Sequence, residues 1–154
     1  MIDKKDFMKL SQKAWYFNGK GYAARGQRIG PRKFNKTLCI YMHREILNAP
    51  EGVEVDHING NKLDNRRFNL RLATRSQNNT NQPKQKKLNC SSRFKGVHWS
   101  NPHQAWRVRI SFNHKCFEVG LFNSEMAAAM AYDLWVKDIQ DDFAVLNFPD
   151  AIRG

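Results

Sequence analysis

An acid and an imidazole stand side by side at Asp56-His57, and a carboxamide, Asn78, follows twenty-one residues after the histidine. These three groups suit phosphodiester hydrolysis assisted by one divalent ion. A hard cation such as Mg²⁺ takes oxygen ligands and keeps several waters. The Asp56 carboxylate and the Asn78 side-chain carbonyl can supply two such oxygens, with Asn79 the alternative to Asn78 if the helix phase differs. A neutral imidazole can take a proton from the attacking water, and the ion can stabilise charge on the leaving oxygen. A zinc site from Cys39, His43 and His57 is the competing metal chemistry, since Cys-x₃-His spacing permits chelation. It lacks a clear fourth ligand, and Cys39 falls in an apolar strand where a buried free thiol is commoner.

The elements that must position these groups follow from periodicity. Residues 53–58 alternate as a strand that carries Asp56 and His57. Neighbours on an ideal strand point to opposite faces, so the strand must bend or end at this pair, as Ile58-Asn59-Gly60 allows. A polar loop, 59–69, leads to a second short strand at 70–74. A helix then starts at Thr74, the N-cap candidate, with Gln77 three residues on. Upstream, Asn18-Gly19 cuts two aromatic runs as a hairpin turn. Residues 37–42 read as a strand with Leu38, Ile40 and Met42 on one face, and 43–47 either continue it or open a short helix before Pro50.

A second group of residues is cationic. In 106–111, period two turns Trp106, Val108 and Ile110 inward and Arg107, Arg109 and Ser111 outward. Strands at 94–99 and 115–119 flank this one, and an alanine-rich helix over 124–137 follows, capped by Asn123 or Ser124. The three strands can present one cationic face wide enough to enter a DNA major groove, with the helix covering the opposite face.

The charge distribution agrees. The 154-residue chain carries 26 Lys+Arg against 14 Asp+Glu, net +12, with a pI near 9.9 and a mean hydropathy of −0.71. Residues 1–82 are net +9, residues 83–122 are net +7 with Glu118 their single acid, and residues 123–154 are net −4. Such an excess calls for a polyanion, most often nucleic acid. The stretch 79–89, with a proline and Lys84, Lys86 and Lys87, reads as a linker or basic arm. No run approaches the roughly 18 apolar residues of a spanning helix, and residues 1–10 hold no apolar signal stretch. The expectation is a soluble cytoplasmic protein without a membrane partner. Three widely spaced cysteines do not make a disulfide framework.

Met42-His43-Arg44, Val55-Asp56-His57-Ile58-Asn59-Gly60-Asn61, Asp64-Asn65-Arg66, Asn69-Leu70-Arg71 and Ser76-Gln77-Asn78 together resemble an HNH endonuclease, nearest the homing-type enzymes of bacteriophages. The resemblance covers roughly residues 40–80. It implies a ββα-metal fold in which His57 is the general base and Asp56 and Asn78 bind the ion, Mg²⁺ with Mn²⁺ as the alternative. It further implies that Asn65 or Asn69 holds the loop through backbone hydrogen bonds. His43 matches a recurrent histidine of accessory role, and Arg66, Arg67 and Arg71 become candidates for phosphate contacts.

Ser92 to Trp99, Trp106 to Ile110, Gly120 to Ser124, Ala127-Ala128, Ala131-Tyr132-Asp133 and Leu146-Asn147-Phe148-Pro149 resemble the AP2 DNA-binding domain over roughly 91–149. That family reads DNA from its sheet, so Lys95, His98, Ser100, Arg107, Arg109 and Ser111 would face DNA, with Arg93, Lys115 and the arm lysines Lys84, Lys86 and Lys87 alongside. His98 and Ser100 stand where plant members often have arginines, and Arg109 where many have an acid.

The combined expectation is an α+β chain. An HNH ββα-metal nuclease module with its hairpin lead-in occupies 1–82, a basic linker 83–90, and an AP2-type three-stranded antiparallel sheet packed on one helix 91–154. The expected activity is metal-dependent nicking of double-stranded DNA by a monomer or weak dimer, in the host cytoplasm if phage-encoded. The rivals are a catalytically inactive DNA-binding regulator and an RNA-binding module with exposed aromatic platforms.

Overall fold

Three antiparallel sheets and four α-helices organise the described residues, 1–31, 36–82, 84, 90–113 and 115–151, of a computed structural model. The chain divides into two compact units, Met1–Arg75 and Ser76–Gly154.

The first unit opens with α1 (Lys4–Ser11), a helix that apolar periodicity does not predict. Its Leu10 is buried, while Asp3 and Asp6 reach a distant arginine. Strands β1 (Tyr16–Phe17), β2 (Ala23–Ile29) and β3 (Lys36–Tyr41) form an antiparallel sheet in that order. The expected turn between the first two is made by Asn18, whose Oδ1 accepts the Lys20 and Tyr22 amides at 3.0 and 2.9 Å. The third strand departs from expectation. It ends at Tyr41, and Met42 opens α2 (Met42–Leu47) with its side chain buried. Leu38 is half exposed and Cys39 is exposed rather than buried. Burial fades along the β2–β3 hairpin from the Ala24–Tyr41 pair toward Ile29–Lys36, so alternation there does not face a core.

Strands β4 (Glu54–His57) and β5 (Leu70–Ala73) pair antiparallel, with Asp56 opposite Arg71 and His57 opposite Leu70. β4 ends at His57: the Gly60 amide turns back to the His57 carbonyl at 2.8 Å, and Ile58 N–H donates to Asn69 O at 2.9 Å. Leu10, Met42, Ile46, Val55 and Leu70 form the core beneath. A short 3₁₀ turn, Arg67–Asn69, leads into β5, and α3 (Arg75–Thr80) follows Thr74 directly. The division between the units falls inside α3, after Arg75.

In the second unit, β6 (Val97–Ser100), β7 (Ala105–Phe112) and β8 (Lys115–Phe122) form a sheet in sequence order. Helix α4 (Glu125–Gln140) packs on it. Val97, Val108 and Ile110 from the sheet meet Ala128, Ala129, Tyr132 and Val136 from the helix, with Phe94 beside them. β6 starts three residues later than the periodicity suggests because residues 94–97 make a turn. Gly96 there has φ +75° and lies flat on Tyr132, and a Cβ in its place would fall 2.0 Å from the ring. The fully buried Asp133 accepts from Asn147 N, Asn147 Nδ2 and Phe148 N at 2.7–3.0 Å. Asn147 in turn brackets the Lys95 backbone. Between β7 and β8 the register slips once: Val108 pairs with Gly120, but Arg109 pairs with Glu118.

Candidate functional site

The end of β4 gathers the reactive groups of the first unit. Asp56 and His57 are both buried. His57 Nε2–H donates to Asn65 Oδ1 at 3.2 Å, and this bond selects the tautomer in which Nδ1 is the basic nitrogen. Burial lowers the His57 pKa below its ordinary value of 6.5, opposed by the Asn65 bond and by the charges of Asp56 and Asp64. The ring is therefore neutral near pH 7. His43, on α2, stands edge-on to His57 at 5.1 Å and stacks on Tyr41 at 5.4 Å. Tyr22 lies 5.1 Å from His43 and 6.0 Å from His57. Burial, then the neighbouring His57 and Arg44, push the His43 pKa down to about 3. Its Nδ1 is buried without a hydrogen-bond partner. Tyr22 and His43 pack against the His57 imidazole, with Tyr41 behind His43, and an environment of this kind keeps an imidazole uncharged and able to take a proton.

The two loop asparagines have different partners. Asn69 accepts the Asn59 amide at 2.9 Å and donates Nδ2 to Asp64 O at 2.8 Å, so it holds the loop by its backbone. Asn65 spends its side chain on the imidazole instead. Asp64, to which neither periodicity nor the motif assigns a role, is fully buried and receives both prongs of Arg66 at 2.7 Å and Asn59 Nδ2 at 3.1 Å. The Arg66 guanidinium holds its carboxyl far below the usual carboxylate range. The Asp64–Arg66 spacing of two was the available signal. Nothing in the spacing of Tyr22 and Tyr41 points to the histidines they meet.

All three arginines expected on phosphates are engaged by acids. Arg66 forks onto Asp64, Arg67 forks onto Asp6 at 2.8 Å, and Arg71 Nε donates to Asp56 at 2.8 Å. The partly exposed Arg66 and Arg67 keep an outer edge; Arg71 is largely covered. Its placement follows from the ladder, where it stands directly across from Asp56.

Among the described residues no three His, Cys, Asp or Glu side chains converge as a ligand cluster. Donors of the kind a hard cation takes are nonetheless present: a buried carboxylate at Asp56 and, on α3, the carboxamide of Asn78. Asn78 is half-buried on α3 and Asn79 is exposed. Both fall in the second unit, past the division at Arg75.

In the second unit, His98 stands opposite Arg107 on the sheet, and Arg109 and Ser111 continue the same row of β7. Arg109, Ser111, Arg93 and Lys115 are exposed. Three residues expected on this face are otherwise occupied. Ser100 is buried and bonded to His103 Nδ1 at 2.9 Å beneath the turn that follows β6. Lys95 Nζ donates to the carbonyls of Thr80 and Gln82, and burial pushes its pKa down to about 8. Lys84 Nζ donates to Phe94 O at 2.7 Å and Val97 O at 3.2 Å. Both lysines tie the segment after α3 to the start of the sheet. Lys86 and Lys87 lie outside the described residues. Glu118 joins the arginines: Arg107 Nε donates to its Oε2 at 3.0 Å, Arg107 Nη2 reaches the same oxygen, and Arg109 Nε lies 4.0 Å away.

The model of a family described as HNH endonuclease matches residues 48–80, which span β4, the loop, β5 and α3. An uncharacterized HNH endonuclease of Acanthamoeba polyphaga mimivirus is 30% identical over 140 residues, covering 90% of this chain and 68% of that protein. Protein 3.8 of Escherichia phage T7 is 39% identical over 66 residues, 43% of this chain and 53% of its own length. An AP2/ERF and B3 domain-containing transcription repressor of Arabidopsis thaliana is 36% identical over 64 residues, 42% of this chain and 18% of its own length. No solved structure matches.

Proposed function

This chain belongs to the HNH endonuclease family, and we propose that it hydrolyses a phosphodiester bond of double-stranded DNA, nicking one strand per engagement. The observation that carries this reading is the buried Asp56-His57 pair with its imidazole clamped by Asn65. Water attacks phosphorus, its proton passes to His57 Nδ1, and the bond from phosphorus to the leaving sugar oxygen breaks. Asn65 keeps Nε2 protonated and the ring oriented. Tyr22 and His43 pack against it, and burial keeps it neutral. Asp56 and Asn78 would hold one divalent cation, Mg²⁺ first and Mn²⁺ second, which supplies charge stabilisation at the phosphate oxygens when bound. Arg71 balances Asp56 from the neighbouring strand.

In the same proposal, site recognition belongs to the second unit. The outward row of Arg107, Arg109 and Ser111, with His98 beside it, is the surface offered to the major groove. The resemblance to AP2 domains and the partial likeness to a plant AP2/ERF protein support this assignment. A homing-type enzyme acting as a monomer or weak dimer fits one catalytic pair per chain. The regulator reading draws on one observation, that Arg71 already neutralises Asp56.

A nicking assay on supercoiled DNA with added Mg²⁺ tests the proposal, comparing the native protein with His57→Ala. Loss of nicking in the variant is expected. Equal activity removes His57 from the mechanism, and an intact wild type that cleaves no duplex leaves the regulator.

A further inference from the structure

Glu118 is the single acid among residues 83–122, a stretch with eight Lys and Arg, and the fold brings it to the arginines. In an unbroken ladder Val119 would face Arg109 and Glu118 would turn to the other side of the sheet. The slipped register makes Val119 the extra residue of a β-bulge and sets Glu118 opposite Arg109. Bulges re-aim side chains in this way. The carboxylate is then held by one oxygen. Oε2 takes both prongs of Arg107 and faces Arg109, whereas Oε1 accepts no protein hydrogen bond among the described residues. Glu118 remains close to half exposed.

An acid on a DNA-facing surface repels phosphates, so it adds nothing to backbone affinity. Against base edges it discriminates. Exocyclic amino groups of cytosine and adenine donate into the major groove, while guanine O6 and N7 and thymine O4 are acceptors. The two arginines leave the trio with net positive charge and keep the Glu118 carboxyl below its ordinary range, chiefly through the Arg107 bond, so the acid can approach DNA while ionised.

We infer that Glu118 is a specificity-determining residue: a carboxylate aimed by Arg107 that accepts a hydrogen bond through Oε1 from the amino group of cytosine, or of adenine, at one position of the target. The inference rests on the proposal that the β6–β8 sheet faces DNA. The experiment selects bound duplexes from a randomised library in EDTA with the full chain, its Glu118→Ala and Glu118→Gln variants, and an Arg107→Ala/Arg109→Ala variant. Circular dichroism checks folding, and affinities are measured at several salt concentrations.

Wild-type sites should hold one position where cytosine or adenine is enriched. Glu118→Ala should lose about tenfold of that discrimination with other positions unchanged, and Glu118→Gln should admit guanine or thymine there, because its amide can donate. A uniform gain in affinity for all duplexes, with every base preference intact, would make Glu118 a counter-charge and overturn the inference. If the arginine variant flattens the salt slope while both Glu118 variants select wild-type sites, the inference fails and the sheet reading stands. If the arginine variant binds with unchanged affinity, site preference and salt slope, the sheet reading itself fails and the inference with it.

Discussion

Replacing Asn65 by leucine isolates the clamp on the imidazole. The side chain is 1% exposed and similar in size to leucine, so the substitution removes a hydrogen bond with little change of volume. His57 Nε2–H then loses its Asn65 acceptor unless the ring rotates. An unsatisfied buried donor costs about 1–3 kcal/mol. At 1.36 kcal/mol per factor of ten, that is roughly a 5- to 150-fold loss in the fraction of molecules holding the productive ring, and hence in the plateau rate. The bond also raises the His57 pKa against the larger, opposite effect of burial. Because the neutral ring is the active form, the nicking rate should rise with pH and level off with a midpoint below 6.5 in the native protein. In Asn65→Leu the midpoint should move lower still while the plateau falls. Single-turnover nicking from pH 5 to 9 at fixed Mg²⁺ reads both quantities, with thermal melting to confirm folding. A folded variant with native plateau and midpoint, or one whose midpoint moves upward, refutes the clamp.

Gly96→Ala should destabilise the second unit by about 2–5 kcal/mol, combining the left-handed backbone (roughly 1–2 kcal/mol) with overpacking against Tyr132 (roughly 1–3 kcal/mol). Gly52→Ala, with φ +79° and open space around it, should show the backbone cost alone, and urea titration compares them. His43 carries a folded pKa near 3, below its unfolded value near 6.5, so the unfolded chain binds the extra proton. Its contribution to stability is lost as pH falls below about 6.5, by up to about 1.4 kcal/mol per unit. His43→Phe should flatten the dependence of the urea midpoint between pH 6.5 and 5. Arg71→Gln leaves the Asp56 charge buried without its cation, which costs about 3–5 kcal/mol and should lower the melting temperature in EDTA. Added Mg²⁺ should recover more of the melting temperature in this variant than it adds to the native protein, and an equal response in both would show that Arg71 does not compete for Asp56.

Much of the order of elements was legible because alternation is a local property. The strand bearing Asp56 and His57, the polar loop, the strand over 70–73 and the helix after Thr74 appear in the expected sequence. So does the inward row of Val108 and Ile110 against α4. Alternation misled at residues 37–42, because a pattern predicts a face without knowing whether anything covers it, and Leu38 and Cys39 meet solvent. Helix α1 escaped because KKDFMKLS has few apolar residues, and only Leu10 and Asp6 are buried.

By itself the sequence determined which groups are present and how they alternate: an acid beside an imidazole, asparagines in the loop that follows, arginines two apart on a strand. Residue chemistry and a period of two are written locally. Only the tertiary structure decided the partners. Arg67 finds Asp6 sixty-one positions away, and Arg71 meets Asp56 through strand register. Asn65 rather than Asn69 reaches His57. One extra residue at Val119 places Glu118 among the arginines. Charges find partners through space, and a one-residue slip of register reverses the face on which a side chain stands. Neither is readable until the chain has folded back on itself.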